Sequence, residues 1–175
     1  RYATETTWDG RYEDLYLVDT KTAKRQLLRS HLSSGATTLG PTGRHLLYWH
    51  GGYWNHFDGK TGKHRNVTGV LDTPFANEDH DFPSDVPSYG TAGWRADGSA
   101  VYVYDKYDIW EIAFDAAGAR TTRNLTHGEG RKTLRTFRFV DLDALDPHVD
   151  ISQPVLLSVS HEQQKYRGLC LLVDG

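Results

Sequence analysis

The chain has 175 residues, and 38% of them are hydrophobic, enough for a folded core and too many for a disordered segment. Twenty basic residues against 23 acidic ones leave a formal net charge of −3, which offers no electrostatic footprint for nucleic acid or an anionic membrane. No run approaches the roughly 18 apolar residues of a membrane span, so no membrane-spanning segment is expected.

The first predicted strand material is Leu15-Tyr16-Leu17-Val18, followed by an Asp19-Thr20 turn and a second strand towards Leu27. The next unit begins with the turn Gly40-Pro41-Thr42-Gly43. It continues through the strands His45-Leu46-Leu47-Tyr48-Trp49-His50 and Tyr53-Trp54-Asn55-His56-Phe57, the turn Asp58-Gly59-Lys60-Thr61-Gly62, and a closing Arg65-Asn66-Val67-Thr68. Residues 69–89 form a long insertion. The same order then returns: Arg95-Ala96-Asp97-Gly98, Ala100-Val101-Tyr102-Val103-Tyr104, Ile109-Trp110-Glu111-Ile112-Ala113-Phe114, the turn Asp115-Ala116-Ala117-Gly118, and Arg123-Asn124-Leu125-Thr126. Gly98 follows Gly43 by 55 residues and Asn124 follows Asn66 by 58, so the two copies match with small gaps. Residues 137–142, 154–160 and 166–173 repeat the first three strands of the unit and lead to the turn Asp174-Gly175.

Each copy predicts a four-stranded antiparallel meander. The central strands are apolar on both faces, as in Val101-Tyr102-Val103-Tyr104 and Leu46-Leu47-Tyr48-Trp49. A sheet wetted on one side would alternate, so each sheet is expected to be covered front and back. The predicted fold class is therefore all-β: a partial β-propeller of about three to four four-stranded blades, two complete and two incomplete. Its divisions are a partial blade over 1–34, a blade over 35–90 with the insertion 69–89, a blade over 91–134, and a partial blade over 135–175. Such a segment leaves open strand edges, for which self-association is expected.

The candidate site is the acidic run Glu78-Asp79-His80-Asp81 in the insertion, with Asp85 close behind and Pro74, Pro83 and Pro87 pinning the loop. Carboxylates on a loop held by a rigid scaffold suit contact with a peptide substrate. The spacing is not that of a metal loop, and no metal or cofactor is expected. The nine histidines are scattered, and the single cysteine, Cys170, lies in an apolar strand and predicts packing. Trp54 and Trp110 take equivalent places in the two copies, which predicts core packing for both. Asn66-Val67-Thr68 and Asn124-Leu125-Thr126 match the glycosylation sequon, yet their recurrence at one repeat position predicts turn chemistry instead. Neither Ser158 and Ser160 with His161 nor any other residues suggest a triad, so no catalytic residue is expected.

The twin Arg-Asn-Val-Thr and Arg-Asn-Leu-Thr phrases resemble the blade repeats of TolB-type and prolyl oligopeptidase-type propellers. The stretch 74–94, the phrase Tyr104-Asp105-Lys106-Tyr107-Asp108-Ile109-Trp110-Glu111-Ile112, and Gly130-Arg131-Lys132 followed by Thr136-Phe137-Arg138-Phe139 resemble the amino-terminal propeller of bacterial serine peptidases of the prolyl oligopeptidase family. The resemblance implies a non-catalytic domain that gates or positions peptides for an α/β-hydrolase domain of the parent chain, in a periplasmic or secreted setting. No Gly-x-Ser-x-Gly elbow occurs in these residues, so the chain alone is expected to be inactive. Two rival readings are a free-standing TolB- or WD-type scaffold for protein binding and a sugar-binding propeller.

Overall fold

Alternating hydrogen-bonded turns and short strands fold the chain into four separate antiparallel sheets, in a computed structural model that describes residues 11–33, 37–115, 120–143 and 146–173. The first sheet pairs β1 (Tyr12–Val18) with β2 (Arg25–Ser33). The second is β3 (Thr37–Leu39), β4 (His45–His50), β5 (Tyr53–Asp58) and β6 (Lys63–Asn66), in sequence order. The third repeats that meander with β7 (Thr91–Trp94), β8 (Ala100–Tyr104), β9 (Ile109–Phe114) and β10 (Arg120–Asn124). After the five-residue helix α1 (Glu129–Thr133), the fourth sheet holds β11 (Arg135–Phe139), β12 (Val155–His161) and β13 (Arg167–Leu172). The molecule is thus all-β, with two complete four-stranded blades and two incomplete ones. The predicted turns at 116–118 and 174–175 lie outside the described residues.

The turns form where the sequence supplies the right residues. Gly43 and Gly98 occupy the same place in the two copies, each with positive φ (70° and 72°) and each donating its N–H to a carbonyl three residues back. The tip of the β4–β5 hairpin is Gly51-Gly52, at φ 64° and 80°. Two consecutive left-handed residues match the twist of a two-residue hairpin, and glycine adopts them without a Cβ penalty.

Stacking of the sheets explains the two-sided apolarity. Along β8, Val101 and Val103 pack on Leu47, Trp49 and Trp54 of the second sheet, while Tyr102 and Tyr104 face the other way into a cluster with Leu157, Phe137 and Phe139 of the fourth. Successive strand residues point to opposite faces, so a strand buried on both sides must be apolar throughout. Leu32 of β2 packs in the same manner on Tyr48 and Phe57, joining the first sheet to the second. At the two ends the stack stops with apolar faces in water. Tyr16, Val18 and Leu27 are exposed on the first sheet, and Leu169, Leu171 and Val173 are 63–67% exposed on the fourth.

Register decides which way the tryptophans point. Asn66 pairs with Asn55, whereas Asn124 pairs with Trp110, so Trp110 occupies the place of Asn55, and Ile109 that of Trp54. The equivalence of Trp54 and Trp110 is therefore off by one residue, which turns a side chain to the opposite face of its sheet. Both indoles still meet in one core, because Trp54 looks from the second sheet towards the third and Trp110 looks back.

Candidate functional site

In a meander the hairpins joining second to third strands and the links between sheets come to the same end of the stack. At that end lie Gly51-Gly52, the insertion 69–89, the β8–β9 turn at residues 105–108, α1, and the β12–β13 turn. The insertion is held there by backbone as well as side-chain bonds. Asn77 N–H donates to Pro87 O at 2.8 Å, Ala76 and Ser88 form an antiparallel bridge, and Trp49 Nε1–H donates to Val86 O at 2.9 Å. Phe75, 2% exposed, anchors its start in the core between the second and third sheets.

The four candidate residues separate into two pairs. Glu78 accepts a two-pronged contact from the Arg131 guanidinium, at 2.6 Å and 3.2 Å, and its own N–H donates to Tyr89 Oη at 2.7 Å. Asp79 accepts from Lys106 Nζ at 2.9 Å, and the same ammonium lies 3.1 Å from Glu162 of the β12–β13 turn. Among the described residues His80 meets only its own loop, with Nε2 3.3 Å from Ser84 Oγ and its ring beside Phe82. Asp81 is exposed and makes no hydrogen bond or ion pair among the described residues. The Ser84–His80 contact is not a nucleophile–base pair, because no described carboxylate orients the other ring nitrogen.

Four partners complete this cluster: Lys106, Tyr107 and Arg131, which fall in the stretches that carry the resemblance, and Glu162, which falls in none. Tyr107 Oη–H donates to Glu162, and the Arg131 guanidinium stacks over the Tyr107 ring at 5.1 Å. The Asp79 hydrogen bond raises the Lys106 pKa, and the Tyr107 hydrogen bond holds Glu162 below its usual value. These charges satisfy one another across three parts of the chain: insertion, third sheet and fourth sheet. The arrangement is a clasp that fixes the insertion over the end of the stack.

Beneath the clasp the turn 105–108 is built on two buried carboxylates. Asp105 accepts from the N–H groups of Tyr107 (2.6 Å) and Asp108 (2.7 Å) and from Trp110 Nε1–H (2.9 Å); burial pushes its pKa up. Asp108 accepts from Thr126 Oγ1–H (2.6 Å), Gly130 N–H (2.9 Å) and Arg131 N–H (3.1 Å), so one side chain ties the turn, the end of β10 and the start of α1 together. Arg138, which burial disfavours as a cation, donates to Asp105 O and Lys106 O and covers the Tyr104 ring at 4.4 Å.

The remaining candidates have structural partners. Asn66 Oδ1 accepts from Thr68 N–H and Gly69 N–H, and Asn124 Oδ1 accepts from Thr126 N–H. The two buried threonine hydroxyls accept from Trp54 N–H (3.0 Å) and Ile109 N–H (3.3 Å), which is the recurring turn chemistry. Ser158 Oγ–H donates to Arg138 O, and His161 Nδ1 accepts from Gln163 N–H and Gln164 N–H. Among the described residues no group of three or more His, Cys, Asp or Glu is placed to hold a metal ion, and no helix is long and apolar enough to cross a membrane.

The clasp predicts a local effect. Replacing Glu78 with glutamine and Asp79 with asparagine together should speed hydrogen exchange at Asn77 N–H, while global stability falls by no more than about 1 kcal/mol, because partly exposed ion pairs contribute little. Urea unfolding and amide exchange on the double variant check both halves. Unchanged exchange in the insertion would show that the carboxylates do not hold it.

Comparison with known proteins gave no match: no family model, no curated protein and no solved structure corresponds to the chain.

Proposed function

We propose that the chain is a non-catalytic β-propeller segment of a prolyl oligopeptidase-like serine peptidase, gating or positioning peptide substrates for a hydrolase domain elsewhere in the parent chain. The observation that carries this reading is the insertion 69–89, which lies across one end of the stacked blades and is clasped to two of them by Glu78–Arg131 and Asp79–Lys106–Glu162. A loop fixed over the end of a blade stack controls what passes that end, and its residues are those that bear the family resemblance. The apolar end faces support a segment with further blades beside it. Asp81 and Asp85 are exposed and make no hydrogen bond or salt bridge among the described residues, Asp85 acting only electrostatically on His50, and they are the carboxylates left to meet a peptide.

The test is labelling with a fluorophosphonate probe. The isolated chain should remain unlabelled and should not turn over peptidyl-proline reporters, whereas the whole parent polypeptide should be labelled on a serine outside residues 1–175. A probe adduct within residues 1–175, or a parent polypeptide that takes no label, would overturn the proposal.

A further inference from the structure

The clasp ties the insertion to the third and fourth sheets. Where the insertion meets the first two, it leaves a cavity of about 420 Å³ bounded by the end of β2, the Gly51-Gly52 tip and the insertion residues Ala76, Asp85 and Val86. That volume lies in the usual range for small-ligand pockets and has room for one long side chain of a peptide with part of its backbone. Trp49 forms an apolar wall and is held in place there, since its Nε1–H donates to Val86 O at 2.9 Å. Both glycines of the tip have positive φ, and a Cβ on either would meet no atom within 4 Å, so the rim on that side is open.

The polar groups of the cavity are unlike those of the clasp. In the clasp Glu78, Asp79, Lys106, Arg131 and Glu162 all have partners of opposite charge. The Ser33 hydroxyl, the half-buried His50 ring and the exposed Asp85 carboxylate line one space, and among the described residues none of these three side chains makes a hydrogen bond or ion pair. Burial, ahead of any neighbouring charge, lowers the His50 pKa and keeps the ring neutral at pH 7, so one of its nitrogens is an acceptor. An ionised carboxylate only accepts, and a hydroxyl can do either. Three acceptors therefore share one cavity with no described donor to fill them. Among the described residues Asp85 is the one carboxylate of the lining, and no lysine or arginine lines it; Arg29, whose charge reaches His50, lies exposed on β2 outside the lining.

We propose that this cavity is a subsite for an arginine side chain of a peptide, with the guanidinium at Asp85, His50 and Ser33 and the aliphatic stem along Trp49 and Val86. A guanidinium carries five donors and no acceptor, the complement of that set, and its charge pairs with the carboxylate. It is more weakly hydrated than an ammonium, so a half-buried space costs it less. The methylene stem suits the apolar wall. The inference rests on the reading that the insertion meets peptides, and it adds the class of side chain recognised.

The test uses the whole 175-residue chain, isotope-labelled, with the peptide acetyl-Gly-Arg-Gly-amide, whose ends carry no charge. Binding in the millimolar range is expected, with chemical-shift changes centred on the Trp49 indole N–H and the amides of His50, Gly51 and Gly52. The matched peptide with citrulline, which has nearly the same shape and no charge, should bind about tenfold more weakly or worse. Asp85→Asn should weaken the arginine peptide by a similar factor. Asp72→Asn, the same charge change at an exposed carboxylate of the insertion outside the lining, should leave affinity within about twofold at physiological ionic strength. Equal binding of the arginine and citrulline peptides, equal affinities of the two variants, shifts away from the cavity, or no binding in the millimolar range overturns the inference. None of these outcomes alters the fluorophosphonate result, and a parent polypeptide that takes no label leaves arginine binding measurable, so the two proposals fail separately.

Discussion

Replacing Asp108 with alanine is expected to cost about 3–5 kcal/mol of folding stability, the range for breaking a buried charged hydrogen-bond network. Asp108 is 1% exposed, and its carboxylate accepts three hydrogen bonds from residues 18 to 23 positions further along the chain. Truncation leaves the buried Gly130 N–H without its acceptor, and an orphaned buried donor costs its full desolvation penalty, while the Thr126 hydroxyl keeps Asn124 Oδ1 at 3.0 Å. Asparagine keeps one acceptor oxygen and should lose about 1–2 kcal/mol. Gly130→Ala attacks the same joint from the other side. A Cβ there would lie 2.6 Å from Asp108 Oδ1 and 2.8 Å from Arg135 O, and the second of these is backbone that cannot turn aside. Urea unfolding of the three variants measures the effect; an alanine variant within about 1 kcal/mol of the parent would show that the network does not join the third and fourth sheets.

Acid should loosen the joint between the second and third sheets. His45 Nδ1 and His56 Nε2 lie 2.9 Å apart, 5% and 2% exposed, with Phe114 of the third sheet stacked on both rings. One nitrogen donates and the other accepts, so the doubly protonated pair would set two N–H groups against each other. The surrounding charges are Arg44 paired with Asp58 and, further off, Arg65; burial dominates and lowers both histidines, His56 to about 4. In the unfolded chain a histidine titrates near 6.5, so between 6.5 and 4 the unfolded state holds the extra proton and stability falls as pH falls. For His56 alone the loss reaches about 2 kcal/mol by pH 5, and above pH 6.5 this contribution is constant. His50 and His64 are lowered in the same direction, also by burial, so the parent is best compared with His56→Gln. The variant should show a shallower slope of unfolding free energy between pH 6.5 and 5, and identical slopes would remove the pair from the account.

The repeat is what made the architecture legible. Gly43 and Gly98, Asn66 and Asn124, and the two-sided apolar strands report local backbone demands and burial, which short-range sequence carries directly. The half-units at either end were readable for the same reason. Trp54 and Trp110 were misaligned because aromatic identity is a weaker marker of register than the asparagine that fixes the strand end. The site was less legible. The acidic run stands out as composition, but its partners Lys106, Arg131 and Glu162 lie 27 to 83 residues beyond Asp79 along the chain, and no local pattern announces a pairing that depends on how sheets stack. The same holds for Asp105 and Asp108, which look like ordinary turn residues in sequence and prove to be buried acceptors. Helix α1 has no sequence signature because its five residues are too few to show a period.

Stacking of the twin sheets face to face underlies everything else, and one contact reports it. The Phe114 ring sits with its centroid 4.7 Å from that of His45 and 4.4 Å from that of His56, although Phe114 lies in the third sheet and both histidines in the second. Nuclear Overhauser spectra of the labelled chain at neutral pH should show strong cross-peaks from the Phe114 ring protons to both imidazoles. A folded chain whose Phe114 contacts neither would contradict the stacked-blade account.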